Sequence, residues 1–179
     1  MKHLILLGGI TVILTQLVWA QPEQPQPVWG MPSNGICGGI CVTQSDWPTH
    51  ANDFYCDIDV RNMSTKRLYI WLPPLEQRYE IDLRGPDGRP IRQLKSVFLS
   101  QKHPFGLEPF PDWYSVDWFF LKDTFDVRTN GQFTLIVSVR ANAFTNFAVG
   151  RSQMQNEPSY FLLPPVTNTF NILPVQLKN

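Results

Sequence analysis

Three cysteines, Cys37, Cys41 and Cys56, and two neighbouring carboxylates, Asp57 and Asp59, are the first groups here whose type and spacing could carry chemistry. A tetrahedral zinc site needs four ligands, and His50 is the sole candidate to complete the trio, so no metal is expected. The interval from Cys37 to Cys41 is one residue longer than the two-residue redox motif. One structural disulfide suits the trio better. The favoured pair is Cys37 with Cys41, which requires a tight turn at Gly38-Gly39-Ile40. In a straight strand the two Cα atoms would stand roughly 13 Å apart, beyond bridging distance. The rival pair is Cys41 with Cys56 across adjacent strands. Loop-closure entropy gives about 2 kcal/mol for the first and about 3 for the second, which does not choose between them.

Asp57 and Asp59, with Asp53 and His50 nearby, lack the loop glycine and terminal glutamate of a calcium loop. They read as the solvated face of a strand. Catalysis needs a nucleophile, a base and an orienting group. His50 and His103 are the only histidines beyond the first twenty residues, and no Gly-x-Ser-x-Gly elbow is present. His103 lies in Lys-His-Pro-Phe, a loop sequence. A non-catalytic protein without cofactor is expected. The chain is also aromatic, with twelve Phe, six Trp and five Tyr. Trp113, Tyr114 and Trp118 form the densest patch, and Phe144 and Phe147 lie in a later excursion. Such rings can stack on sugars or anchor a protein partner, or pack as scaffold. Asn62-Met63-Ser64 has the pattern of an N-glycosylation sequon, with a turn asparagine as the alternative.

The elements that must position these groups follow from patterning. Residues 1–20 have a charged start, an apolar run from Leu4 to Trp19 and a Val-x-Ala end, the layout of a cleaved signal peptide. The expected location is secreted, periplasmic or cell-surface, with no membrane insertion after cleavage. Residues 21–35 read as a Pro/Gln-rich spacer, extended and free. Without Lys2 the chain has one more acidic than basic residue, so nothing favours nucleic acid.

Beyond Ile36 the period is that of strands. Ile40 and Val42 alternate with Cys41 and Thr43. Phe54, Cys56, Ile58 and Val60 alternate with Tyr55, Asp57, Asp59 and Arg61, which places Cys56 in the core. Leu68–Leu72 is apolar on both faces and suits a strand covered on both sides. Tyr79, Ile81 and Leu83 alternate with Glu80, Asp82 and Arg84. Gly85-Pro86-Asp87-Gly88 is a turn in which Gly88 takes a positive φ. Short strands are expected at Ile91–Leu94, 118–127 and 170–177, and a long one from Phe133 to Val139 after a turn at Asn130-Gly131. Residues 141–165 read as an insertion. No sustained helical period occurs, and the sixteen prolines argue against long helices. An all-β, immunoglobulin-like antiparallel β-sandwich of seven to eight strands over 36–179 is expected.

Val60-Arg61-Asn62-Met63-Ser64, Leu68-Tyr69-Ile70, Tyr79-Glu80-Ile81-Asp82-Leu83 and Gly85-Pro86-Asp87-Gly88-Arg89, with the pair Phe125-Asp126-Val127 and Gly131–Val137, carry a resemblance. Over about residues 52–141 the chain is loosely similar to secreted bacterial immunoglobulin-like domains, above all the BsuPI-type proteinase inhibitor group. The corner tyrosine of that class is Phe133 here. The resemblance implies a sandwich and transfers no inhibitory residue. The functional expectation is a secreted binding or assembly module with a protein or glycan partner outside the cytoplasm. The alternatives are a proteinase inhibitor and a carbohydrate-binding module.

Overall fold

The computed structural model describes residues 26–44, 53–94, 99–100, 105–107 and 113–173. The leader at 1–20, His50 and His103 lie outside them. In chain order the elements are β1 (Val28–Trp29), β2 (Ile36–Gln44), β3 (Phe54–Asn62), β4 (Leu68–Trp71), α1 (Leu75–Arg78), β5 (Tyr79–Arg84), β6 (Leu99–Ser100), β7 (Phe105–Leu107), β8 (Trp113–Phe120), α2 (Leu121–Thr124), β9 (Gly131–Phe144), α3 (Phe147–Asn156), β10 (Phe161–Leu162) and β11 (Val166–Ile172).

The strands form two antiparallel sheets packed as a sandwich, an all-β architecture. The first sheet has the order β1-β2-β3-β8-β6. The second is organised on the 14-residue β9. β11 and β10 pair along one edge of β9, β5 and β4 along the other, and β7 lies beyond β4. Alternation explains the core. Ile36, Ile40, Cys56, Ile58 and Val60 from the first sheet meet Phe133, Leu135, Val137 and Val139 from the second, all buried. Each such side chain contributes about 1.5–3 kcal/mol.

One irregularity decides which groups enter that core. The β3–β8 register passes from Ile58↔Asp117 to Asp59↔Ser115, leaving Val116 as the extra residue of a bulge. Without it Asp117 would share the outward face of Trp113 and Ser115. With it, Asp117 turns inward and is buried. Its Oδ2 accepts from Arg78 Nη1 at 2.6 Å and from the Tyr79 hydroxyl, while Arg78 Nε donates to the Pro73 carbonyl at 3.1 Å. A charged pair thus ties the middle of the first sheet to α1 and β5 of the second.

Several sequence expectations are corrected. The spacer is not free throughout: Val28 and Trp29 pair with Ile40 and Gly39. Ile91–Leu94 contributes only isolated bridges, Arg84↔Pro90 and Gln93↔Phe125. The strand expected at 118–127 runs from 113 to 120, and α2 follows because Leu121, Thr124 and Phe125 bury at helical spacing. The strand expected at 170–177 is β11, which begins earlier, at Val166, and is described to Ile172; the remainder of the expected stretch from 174 lies outside the described residues.

The excursion at 141–165 holds a helix that periodicity did not announce. Asn146 caps α3, its Oδ1 accepting from Ala148 N at 2.9 Å and Val149 N at 3.2 Å. Only Gly150 and Met154 of this helix are buried, so its apolar stripe is too narrow to read. A Cβ on Gly150 would lie 2.7 Å from ring atoms of Phe144 and Trp71, so the missing side chain lets the helix rest on β4 and β9. The double covering expected for 68–72 follows: Leu68 and Ile70 face the core, and α3 covers Trp71.

Candidate functional site

The outer face of the first sheet collects the polar groups that the sequence singled out. Cross-strand register places Cys37 beside Arg61, Gly39 beside Asp59 and Cys41 beside Asp57. From β8, Trp113 stands beside Arg61, Ser115 beside Asp59 and Trp118 beside Asp57. From β1, Trp29 lies against Gly39; a Cβ there would meet its ring at 2.6 Å. The Arg61 guanidinium stacks over Trp29 at 4.0 Å, a cation–π contact. Trp113 meets Trp29 edge-on, with centroids 6.1 Å apart at 73°, and remains 43% exposed. On the other flank Trp118 meets Phe120 edge-on at 5.4 Å and 83°.

Between these flanks lie the two carboxylates. Asp57 is half-buried and accepts from Ser115 Oγ at 3.5 Å. Burial raises its pKa, and the serine bond opposes the rise. Asp59 was expected on a solvated face, yet it is 0% exposed and neither carboxylate oxygen has a hydrogen-bond partner. Burial, reinforced by the Asp57 charge and opposed by Arg61, pushes its pKa up to about 8. The cause is local. Its two cross-strand neighbours are a glycine and a serine, and Trp29 lies over the glycine.

The cysteines are all free thiols, and the Cys37–Cys41 disulfide is not formed. Gly38-Gly39-Ile40 is straight strand rather than a turn, so the two thiols share one face but stand roughly 13 Å apart along it. The cross-strand rival also fails. Cys41 pairs with Asp57 and faces out, whereas Cys56 pairs with Val42 and faces the core, as expected of Cys56. Burial raises all three thiol pKa values; Arg61 opposes the rise at Cys37 and the Thr43 hydroxyl, 3.5 Å away, at Cys41. Buried thiols held protonated are poor nucleophiles. Alkylation by iodoacetamide is therefore expected to reach none of them in the native protein and all three in denaturant, without prior reductant. Two thiols unreactive until reduction would show that a disulfide forms.

The other aromatic candidates fall elsewhere. Tyr114 packs against the core. Phe144 and Phe147 lie on the second sheet's outer side with Tyr69 and Trp71, at centroid distances of 5.4 Å for Tyr69–Phe147 and Trp71–Phe144. They seat α3, so they do not join Trp113 in one surface. Asn62 is the turn asparagine. Its Nδ2 donates to the carbonyls of Lys66 (2.7 Å) and Leu107 (3.0 Å), and its Oδ1 accepts from Ser64 N and Oγ. A glycan on Nδ2 would displace those buried bonds.

Trp29 and Arg61 are the members of this face that the sequence reading did not select. Gly39 was the available signal, since glycine inside a strand marks close approach of another group. Among the described residues no three His, Cys, Asp or Glu side chains converge as a metal site, and no helix is long and apolar enough to cross a membrane. No protein-family model and no curated protein matches the chain.

Proposed function

We propose that this chain is an exported, non-catalytic binding or assembly module of immunoglobulin-like type, and that it engages a protein partner through the outer face of its first sheet. The observation that carries the reading is Trp113. It is exposed, braced edge-on by Trp29, and next to an arginine already stacked on that ring. A rigid aromatic with a polar neighbour is the composition of an interface anchor. The aromatic geometry favours a protein over a glycan. Sugar rings stack on coplanar aromatic platforms, whereas Trp29–Trp113 and Trp118–Phe120 stand at 73° and 83°.

The test is capture of envelope and medium proteins from the source cells by wild-type protein and by Trp113→Ala. Retention by wild type, lost in the variant at unchanged circular dichroism, is the expected result. Equal retention by the variant, binding on a glycan array, or inhibition in a protease panel would each replace this reading with another.

A further inference from the structure

We propose that Asp59, with Asp57 beside it, is the seat for an arginine or lysine side chain of the partner, inserted beside Trp29 on the outer face of the first sheet. The inference rests on the docking-face reading and names its chemistry. Asp59 is fully buried, faces outward by register, and has no hydrogen-bond partner on either oxygen. A buried carboxyl with nothing to accept from is costly, and a cationic donor is what would satisfy it. Asp57 adds a second acceptor, which takes a long bond of 3.5 Å from Ser115 Oγ.

An organic cation fits better than a metal ion. No third carboxylate, thiol or imidazole converges with these two among the described residues, so a cation cage is incomplete. The rim is aromatic instead, and Trp29 already holds a guanidinium, that of Arg61, over its ring. The element covering the seat is short. β1 is tied to β2 by the pairs Val28↔Ile40 and Trp29↔Gly39 and by Gly30 N donating to the Gly38 carbonyl at 2.9 Å, so the entering cation would reach Asp59 past the edge of the Trp29 ring. The ionisable groups facing Asp59 on its own and the neighbouring strand are Asp57, Arg61, Cys37 and Cys41; Trp29 and Ser115, from β1 and β8, bring no charge. Occupancy therefore requires the ionised form of Asp59. Arginine stays charged throughout, so affinity rises as pH climbs toward about 8 and levels above it.

The experiment titrates the full chain with acetyl-Gly-Arg-Gly-amide, its lysine counterpart and the neutral citrulline isostere, followed by tryptophan fluorescence and carboxyl carbon shifts. The arginine and lysine peptides are expected to bind, the citrulline peptide about tenfold or more weaker. Asp59→Asn keeps the side-chain shape and is expected to lose the preference for charge while its circular dichroism is unchanged. An unchanged affinity in Asp59→Asn, equal binding of the citrulline peptide, no response to any peptide, or saturation by calcium chloride alone would overturn the proposal. Partner capture that depends on Trp113 while no peptide binds removes this inference and leaves the docking face standing.

Discussion

Replacing Asp117 with alanine is expected to lower unfolding free energy by about 3–5 kcal/mol, read as a shifted midpoint in urea denaturation. The loss comes from what is left behind. Arg78 is almost wholly buried, and Asp117 is the carboxylate that neutralises it at 2.6 Å. Without that carboxylate the guanidinium stays in the sandwich with the Pro73 carbonyl still accepting from its Nε, and the Tyr79 hydroxyl loses the Asp117 acceptor. Domains of this kind are stable by only about 5–15 kcal/mol in total, so the variant stands near the limit of folding.

The companion experiment separates the pair's worth from the cost of an orphaned charge. Arg78→Met combined with Asp117→Leu removes both charges and keeps volume. It is expected to recover most of the lost stability, because apolar replacement of a buried pair is often neutral or better. A single-variant loss below about 1 kcal/mol would mean that water reaches Arg78 and that the pair does not bind the two sheets together.

The same bulge that aims Asp117 inward marks where the sequence stopped being legible. Period-two reading succeeds at Phe54–Arg61, Tyr79–Arg84 and Phe133–Val139, where one face is apolar and the other polar with Ile136 as the one apolar exception. It fails at 113–127. Val116 shifts the phase by one residue, and Leu121 to Phe125 then switch to helical spacing. It fails again at α3, whose position is set by a capping asparagine and by the absence of a side chain at Gly150 rather than by a stripe. The candidate face was half visible. Trp113 and the two aspartates stood out as residue types, but the burial of Asp59 depends on Trp29. That residue lies thirty positions upstream of Asp59, in a Pro/Gln-rich segment that local patterning assigns to a free spacer. Cross-strand adjacency of Gly39, Asp59 and Ser115 is a long-range fact with no local signature.

Gly131→Val is the second change expected to have a large effect, lowering stability by about 3 kcal/mol. Two costs combine at this position. The backbone φ is +129°, a region that side-chain-bearing residues rarely adopt, and forcing one there costs about 1–3 kcal/mol. A Cβ would also stand 2.7 Å from Pro86 Cγ and 3.2 Å from its Cβ. Pro86 cannot yield cheaply, because its ring belongs to a turn closed by Gly88 N donating to the Gly85 carbonyl at 2.9 Å. Crowding of this kind adds about 1–3 kcal/mol. Gly88 separates the two costs. Its φ is +75°, as the turn required, but an added Cβ meets nothing within 4 Å. Gly88→Ala should therefore lose only about 1 kcal/mol, the backbone share alone. Gly131→Ala should lose more than that, and Pro86→Ala should restore part of the Gly131→Ala loss but none of the Gly88→Ala loss. Equal denaturation midpoints for the two alanine variants would show that the turn at 85–88 moves aside freely, and that the start of β9 is not pinned by its contact with Pro86.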